Sequence, residues 1–156
     1  MQLTSRPMGM NEAREIVQWR YEPPYDLYNN DDKEETIYEF TNGSYVALYN
    51  EQEHLFGFYC TGASAQVPAG HKQGVYKEAL LDIGLGMNPD DVGCGNGRDF
   101  CEVVLSIIIH THGKTPIRLS VATFNARAIR VYEKLGFVRL DYFHTDVTEF
   151  ITMVKR

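Results

Sequence analysis

The sequence has no apolar run approaching the ~20 residues that a membrane-spanning helix requires, so no transmembrane segment is expected. Its opening stretch, MQLTSRPMGMNEAREI, lacks the apolar core of a secretory signal. Basic residues are short in number: 15 Lys and Arg stand against 21 Asp and Glu, a net charge of −6. That balance carries no electrostatic footprint for nucleic acid, and a tight DNA-binding role is disfavoured. It suits a cationic substrate or a basic peptide instead. Cysteine is scarce and odd in number. Cys60, Cys94 and Cys101 show no metal spacing, and no metal is expected. Reduced thiols in a cytoplasmic protein are the simplest account of them. Internal repeats, low-complexity segments and linkers are absent. With 156 residues, 44% of them hydrophobic and 23% charged, the chain reads as one domain, 1–156, long enough to bury a core.

What is present is organised around residues 79–109, ALLDIGLGMNPDDVGCGNGRDFCEVVLSIII. Leu81, Ile83, Leu85 and Met87 alternate with Asp82, Gly84 and Gly86, the period of a strand. Asn88-Pro89-Asp90-Asp91 has turn chemistry. Gly93, Gly95 and Gly97 follow at every second position. From Arg98 the period becomes helical, with Phe100, Val103, Val104, Ile107 and Ile108 on one face. A glycine loop that opens a helix is an anion site: glycines admit positive φ and close approach, and the N–H groups of the first turn point at the ligand. Arg98 adds a full positive charge there. The plainer alternative is a glycine turn that only joins strand to helix.

The string DVGCGNGR, Asp91 to Arg98, looks like the first motif of nucleoside-dependent methyltransferases, loosely resembles a dinucleotide-binding turn, and resembles the pyrophosphate loop of acetyl-CoA-dependent acetyltransferases. The first two require the loop to follow an apolar strand directly. Here Asn-Pro-Asp-Asp intervenes, and Arg98 stands where the dinucleotide pattern has its third glycine. Only 59 residues follow Gly97, too few for several further βα units of roughly 30 residues each. Cys94, within the loop, reads as a small loop residue or as a reactive thiol. His110 and His112 suit a helix C-terminus and carry no expected catalytic role.

Around this unit, the first eight residues read as a short edge strand ending at Pro7. Asn11 is expected to cap a helix through Arg20. Tyr21 to Asp26, with Pro23 and Pro24, breaks that helix and reads as pocket wall or packed connector. Asp31 to Phe40 reads as a short acidic helix. Ser44–Asn50 and His54–Thr61 pair as a hairpin, with Gly57 as a bulge or close approach. Gly62 to Gly74 reads as a loose loop, a substrate lid or an ordinary exposed loop. Ile117, Leu119 and Val121 form a strand. In NARAIRVYEKLGF, Asn125 caps a helix, Ala128, Val131, Tyr132 and Leu135 share a face, and Gly136 ends it. Phe137–His144 and Asp146–Val154 are the final strands.

This order of elements, with Asn125, Ala128, Tyr132, Leu135, Gly136 and Phe137 in the pattern Asn-x-x-Ala-x-x-x-Tyr-x-x-x-Gly-Phe, resembles the GNAT superfamily of acetyl-CoA-dependent N-acetyltransferases. The likeness covers residues 79–140 well and the whole chain in order, and WRYEPPYDLYN looks like small bacterial members of unassigned substrate. It implies an α+β fold: a mostly antiparallel mixed sheet of about six or seven strands with flanking helices and a splayed cofactor cleft. It implies acetyl transfer to a primary amine, a small molecule or a protein N-terminus, in a ternary complex with acetyl-CoA. The backbone of Leu85 to Met87 would bind the pantetheine as an added strand, with the Met87 N–H polarising the thioester carbonyl. Val92, Gly93, Gly95, Asn96, Gly97 and Arg98 would cradle the pyrophosphate. Val92 stands where the family has Gln or Arg, which leaves backbone N–H groups and Arg98 for the phosphates. Asn125 would hydrogen-bond the cofactor. Tyr132 would act as general acid toward the departing thiolate; on helix period alone it is a core tyrosine. Asp82, on the face opposite Leu81 and Ile83, is either the general base or a satisfied structural carboxylate. A non-catalytic acyl-CoA-binding domain is the rival from another class, an S-adenosylmethionine-dependent methyltransferase the minor one. A homodimer is left open.

Overall fold

Alternating apolar residues build seven strands, and helices are spaced among them. The computed structural model describes residues 1–156. In chain order the elements are β1 (Thr4–Pro7), α1 (Met10–Ile16), α2 (Glu34–Phe40), β2 (Tyr45–Tyr49), β3 (Leu55–Thr61), α3 (Pro68–Lys72), β4 (Leu81–Met87), α4 (Gly97–His112), β5 (Ile117–Ala122), α5 (Ala126–Lys134), β6 (Val138–His144) and β7 (Glu149–Lys155). Short 3₁₀ turns occupy Tyr25–Tyr28, Gly62–Ala65 and Pro89–Asp91. The strands form one mixed sheet in the order β1-β2-β3-β4-β5-β7-β6. β4 and β5 run parallel; β1–β2, β2–β3, β5–β7 and β6–β7 are antiparallel. This is the expected α+β class. No helix is long and apolar enough to cross a membrane.

The chain divides into two compact units, Met1–Cys60 with Leu85–Asn96, and Thr61–Gly84 with Gly97–Arg156. In the first, Ala13, Ile16, Val17, Trp19, Ile37 and Phe40 of the helical region bury against Ala47 and Leu55 of the hairpin. Phe40, Tyr45 and Phe58 add an aromatic cluster, with Phe40 edge-on to Phe58 at 5.5 Å. The hairpin register shifts between Leu48 and Tyr49, so that Leu48 faces Gly57 and Tyr49 faces Leu55. Phe56 is therefore the extra residue of the bulge, and Gly57 is its regularly paired neighbour.

In the second unit, Val104 and Ile108 of α4, Leu119 and Val121 of β5, and Ile151 and Met153 of β7 are buried. Each such side chain contributes about 1.5–3 kcal/mol of burial. Cys101 and Leu105 are buried on α4 where the sequence pattern points to Val103 and Ile107, which are only half-buried. On α5 the buried anchor is Ile129, one residue after the expected Ala128.

Several boundaries differ from expectation: α2 begins at Glu34 instead of Asp31 and β7 at Glu149 instead of Asp146. α1 is capped by Gly9, not Asn11: the Gly9 backbone is extended, and its N–H donates to Glu12 Oε1 at 3.0 Å. Asn11 already lies inside the first turn. The helix stops at Ile16, and the Arg20 guanidinium closes the exit by donating to the carbonyls of Val17 and Trp19. The stretch 62–74 is not a loose loop. Pro68 starts α3 with its φ already helical, and Gln73 brackets His144, accepting from its N–H and donating to its carbonyl.

Candidate functional site

Within the second unit, the parallel register sets Asp82 of β4 directly opposite Arg118 of β5. Both lie on the face away from Ile83 and Leu119, yet both are buried, Asp82 at 3% exposure and Arg118 at 1%. Burial of charges is tolerated only when each is paired and hydrogen-bonded. Here Arg118 Nε donates to Asp82 Oδ1 at 2.6 Å and Nη2 to Oδ2 at 2.8 Å. Gln66 Nε2 donates to Oδ2 at 2.8 Å. Arg118 Nη1 reaches the carbonyls of Val75 and Glu78. The hydrogen bond to Asp82 raises the Arg118 pKa further above its usual value, against the opposing effect of burial. The Tyr76 ring lies under the guanidinium at 5.1 Å, and the Tyr76 hydroxyl joins Ser120 Oγ and the Val67 N–H. Arg118 thus fixes the segment from Gln66 to Glu78 on the sheet. Both Asp82 oxygens are occupied by donors, the arrangement of a satisfied structural carboxylate.

In the first unit, β4 ends at Met87, whose carbonyl accepts from the Tyr21 hydroxyl at 2.6 Å. Burial raises the Tyr21 pKa well above its usual value, so the hydroxyl is a permanent donor. The aromatic, proline-bearing segment after α1 therefore reaches the end of the central strand. At Gly86 an added Cβ would collide with the Phe58 ring, which explains glycine there. The next residue, Asn88, is buried; its N–H donates to Phe56 O, its Nδ2 to Leu55 O, and its Oδ1 accepts from Asp90 N–H. His54 Nε2 meets Asp91 Oδ2 at 2.9 Å. The start of β3 thus holds the turn from which the glycine loop leaves.

Gly93 and Gly95 have φ of 81° and 78°, and a Cβ on either would meet nothing within 4 Å. Asn96 Nδ2 donates back to Asp91 O at 3.4 Å, and Val92 N–H to Pro89 O at 3.3 Å. Cys94 is exposed beside Val92 O, whereas burial pushes the Cys101 thiol up to about 12. In the second unit, α4 begins at Gly97, and a Cβ there would come 4.0 Å from Val131 of α5. Arg98 pairs with Glu102 one turn on, at 3.1 Å on the surface. α5 is capped as expected: Asn125 Oδ1 accepts from Ala128 N–H at 3.1 Å. Gly136 at φ 98° closes it. Tyr132, next to Val131, is half-buried and edge-on to Phe137 at 5.9 Å.

No protein-family model matches the sequence, and no curated protein sequence matches it. Solved structures do. A putative GNAT-family acetyltransferase from Bordetella pertussis superposes with a TM-score of 0.76 at 14% identity, over 99% of this chain and 95% of that one. A spermidine N-acetyltransferase chimera of Vibrio cholerae and hSSAT gives 0.74 at 19%, over 99% and 95%. A GNAT-family acetyltransferase from Bacillus anthracis gives 0.71 at 16%, over 99% and 94%. The chain has the GNAT fold. That fold is not the doubly wound parallel sheet on which a methyl-donor or dinucleotide loop sits, so those two readings of DVGCGNGR fall away.

Sequence reasoning missed Arg118, Gln66, Tyr76 and His54, and it read Tyr21 only as part of a segment forming pocket wall or packed connector, without its partner Met87. Arg118 carries a faint signal, a charged residue alternating with Ile117 and Leu119 in a strand pattern. Its partner is 36 residues away, and only the β4–β5 register brings the two together. The contacts of Tyr21 with Met87 and of His54 with Asp91 carry no local signal, because their partners are far along the chain.

Proposed function

We propose that residues 1–156 form a single GNAT-type domain that transfers the acetyl group of acetyl-CoA to a primary amine by direct attack in a ternary complex. The observation that carries this reading is the coincidence of the GNAT fold over nearly the whole chain with a positive-φ glycine loop that feeds the 16-residue helix α4. The fit to coenzyme A rests on that loop: Gly93 and Gly95 present backbone with open space where a side chain would stand. Helix N-terminal amides at Gly97 and the Arg98 charge favour a phosphate group there.

On this reading the Val92–Arg98 backbone holds the pyrophosphate. Leu85 and the Met87 N–H face the pantetheine and the thioester carbonyl, while the Met87 carbonyl stays with Tyr21. The Asn125 oxygen is engaged in its cap, so a cofactor contact would fall to Nδ2. The amine nitrogen attacks the thioester carbon, the carbon–sulfur bond breaks, and Tyr132 gives its hydroxyl proton to the departing thiolate. The amine loses its proton to solvent before or during attack, and Tyr132 takes its proton back from solvent after the thiol leaves. We assign Asp82 a positioning role with Arg118, since its two oxygens already accept three hydrogen bonds. The three cysteines form no disulfide and two of them are buried, which supports a reducing, cytoplasmic setting.

The amine class with most support is a cationic polyamine. One of the similar structures is a spermidine N-acetyltransferase chimera, and the net charge of −6 favours cations. A turnover assay with acetyl-CoA and a panel of polyamines, amino acids, aminoglycosides and peptide N-termini tests the proposal. Thiol release that depends on one amine class is the expected outcome. A second reading, a non-catalytic acyl-CoA-binding domain, is favoured by Val92 at the loop's first position and by the occupied Asp82. Coenzyme A binding with no turnover on any amine selects it. The homodimer remains part of the proposal to be tested by sedimentation.

A further inference from the structure

The peptide that joins Met87 to Asn88 is gripped at both ends. Its N–H donates to Phe56 O of β3 at 2.8 Å, and its carbonyl accepts from the Tyr21 hydroxyl at 2.6 Å. A trans peptide is planar and its N–H and C=O point opposite ways, so the Met87 carbonyl faces the edge of β4 away from β3. In an extended strand the N–H and C=O of one residue share an edge. Met87 is the last residue of β4. Its N–H therefore faces the edge on which the Tyr21 hydroxyl sits.

Tyr21 is itself held from two sides. Before it, the Trp19 ring stacks on Phe58 at 6.1 Å, and Phe58 packs on the bare Cα of Gly86, where a Cβ would collide with the ring. After it, the chain closes on itself. The Tyr21 N–H donates to Asn29 Oδ1 at 2.8 Å, the Tyr25 N–H to Glu22 O at 2.8 Å and the Asn29 N–H to Asp26 O at 3.1 Å. The phenol is delivered on a braced segment to one defined atom.

We propose that Tyr21 is a positioning residue, whose hydroxyl holds the end of β4 so that the Met87 N–H is aimed at the thioester carbonyl. This rests on the proposed reading of Leu85 to Met87 as the strand that takes acetyl-CoA. An oxyanion-type donor is effective when its direction is fixed before the reaction. The terminal peptide of a strand turns freely when only one of its groups is bonded. With Phe56 on its N–H and Tyr21 on its carbonyl, this one cannot turn. The Met87 carbonyl is engaged by the phenol, so the N–H is the group this residue offers to a ligand, and an N–H recruits an acceptor such as a carbonyl oxygen.

The test uses the full chain and acetyl-CoA carrying 13C at the acetyl carbonyl, for the parent, Tyr21→Phe and Asn29→Ala. Phenylalanine keeps the ring and deletes only the hydroxyl. In the parent, the bound carbonyl resonance should lie downfield of free acetyl-CoA, because a donated hydrogen bond polarises it. Tyr21→Phe should lose most of that displacement while the Kd changes little. Asn29→Ala should lose part of it, and nothing further when added to Tyr21→Phe, since both act through one contact. Equal displacement in parent and Tyr21→Phe would overturn the proposal. Hydrogen exchange without ligand tests the clamp separately. The Asn88 amide should exchange about fivefold faster in Tyr21→Phe, the equivalent of one ordinary hydrogen bond, while the amide of buried Ala47 in β2 keeps its rate. An unchanged Asn88 rate, or equal acceleration at Ala47, refutes the clamp whatever the ligand does. A parent that binds no acetyl-CoA, with Asn88 exchange still dependent on the hydroxyl, refutes the acetyl-CoA reading and the aiming role with it, and leaves the clamp standing.

Discussion

The Arg118–Asp82 cluster and the glycine loop are both irregular in sequence terms, yet they are held in opposite ways. Arg118 is buried and makes four hydrogen bonds, two to Asp82 and two to backbone carbonyls. The loop from Val92 to Asn96 has two positive-φ glycines, open space around them and only long contacts of its own, while the turn before it is held at Asn88 and Asp91. The cluster is over-determined, and a fault in it should cost folding stability. The loop is under-determined, and a fault in it should change affinity while leaving stability nearly intact. The contrast fits a scaffold that fixes strand register at the cluster and leaves bare backbone in the loop.

The largest effect is expected where a buried charge loses its partner. Arg118→Met leaves the buried Asp82 carboxyl without its cation, and should lower unfolding stability by about 3–5 kcal/mol in urea titration. A double replacement, Arg118→Met with Asp82→Leu, should recover most of that loss, because the penalty comes from the orphaned charge. If the double variant is as unstable as the single one, the cluster holds the fold by shape rather than by charge.

Tyr132→Phe separates chemistry from both regions. It deletes one hydroxyl from a half-buried ring that packs on Phe137. On the proposed mechanism kcat falls by about 10² to 10³, and the Kd for acetyl-CoA changes little. The deficit should shrink with an acyl donor whose leaving thiol is more acidic. Full kcat in the phenylalanine variant, with the chemical step shown to be rate-limiting, makes Tyr132 a packing residue.

Two loop substitutions should be milder and read out on the ligand. Gly95→Ala introduces no clash, but its φ of 78° disfavours a side chain. The strain of about 1–2 kcal/mol should move the loop and weaken acetyl-CoA about tenfold, with a melting temperature close to the parent's. Arg98→Ala removes a surface pair with Glu102, worth only about 0.3–0.5 kcal/mol in stability. Its affinity loss, about two- to fivefold, should vanish at high salt, since it is a screened charge at a helix start.

Elements set by local periodicity and caps were legible in the sequence. The bounds of β4 at Leu81 and Met87 follow from strict alternation. α5 follows from the Asn125 cap and Gly136. The loop glycines with positive φ fall at Gly93 and Gly95, where anion-site reasoning wanted bare backbone. Features that depend on contact across the chain were not. Asp82 reads as base or as structural carboxylate until the register sets it against Arg118. Asn11 looks like a cap because asparagine is a good one, but Gly9 in extended backbone, with Glu12 reaching back, takes that place. The stretch 62–74 looks loose because Gly, Ala and Ser lack periodicity, while its order comes from Gln66, Gln73 and Tyr76 bonding to distant partners.

The central claim is that this glycine loop and its helix bind coenzyme A in a GNAT fold, and calorimetric titration of the full chain with acetyl-CoA tests it most directly. The account predicts saturable binding at one molecule per chain, weakened by Gly95→Ala and unaffected by Tyr132→Phe. Absence of a binding isotherm at millimolar acetyl-CoA, with the protein shown to be folded, would contradict it.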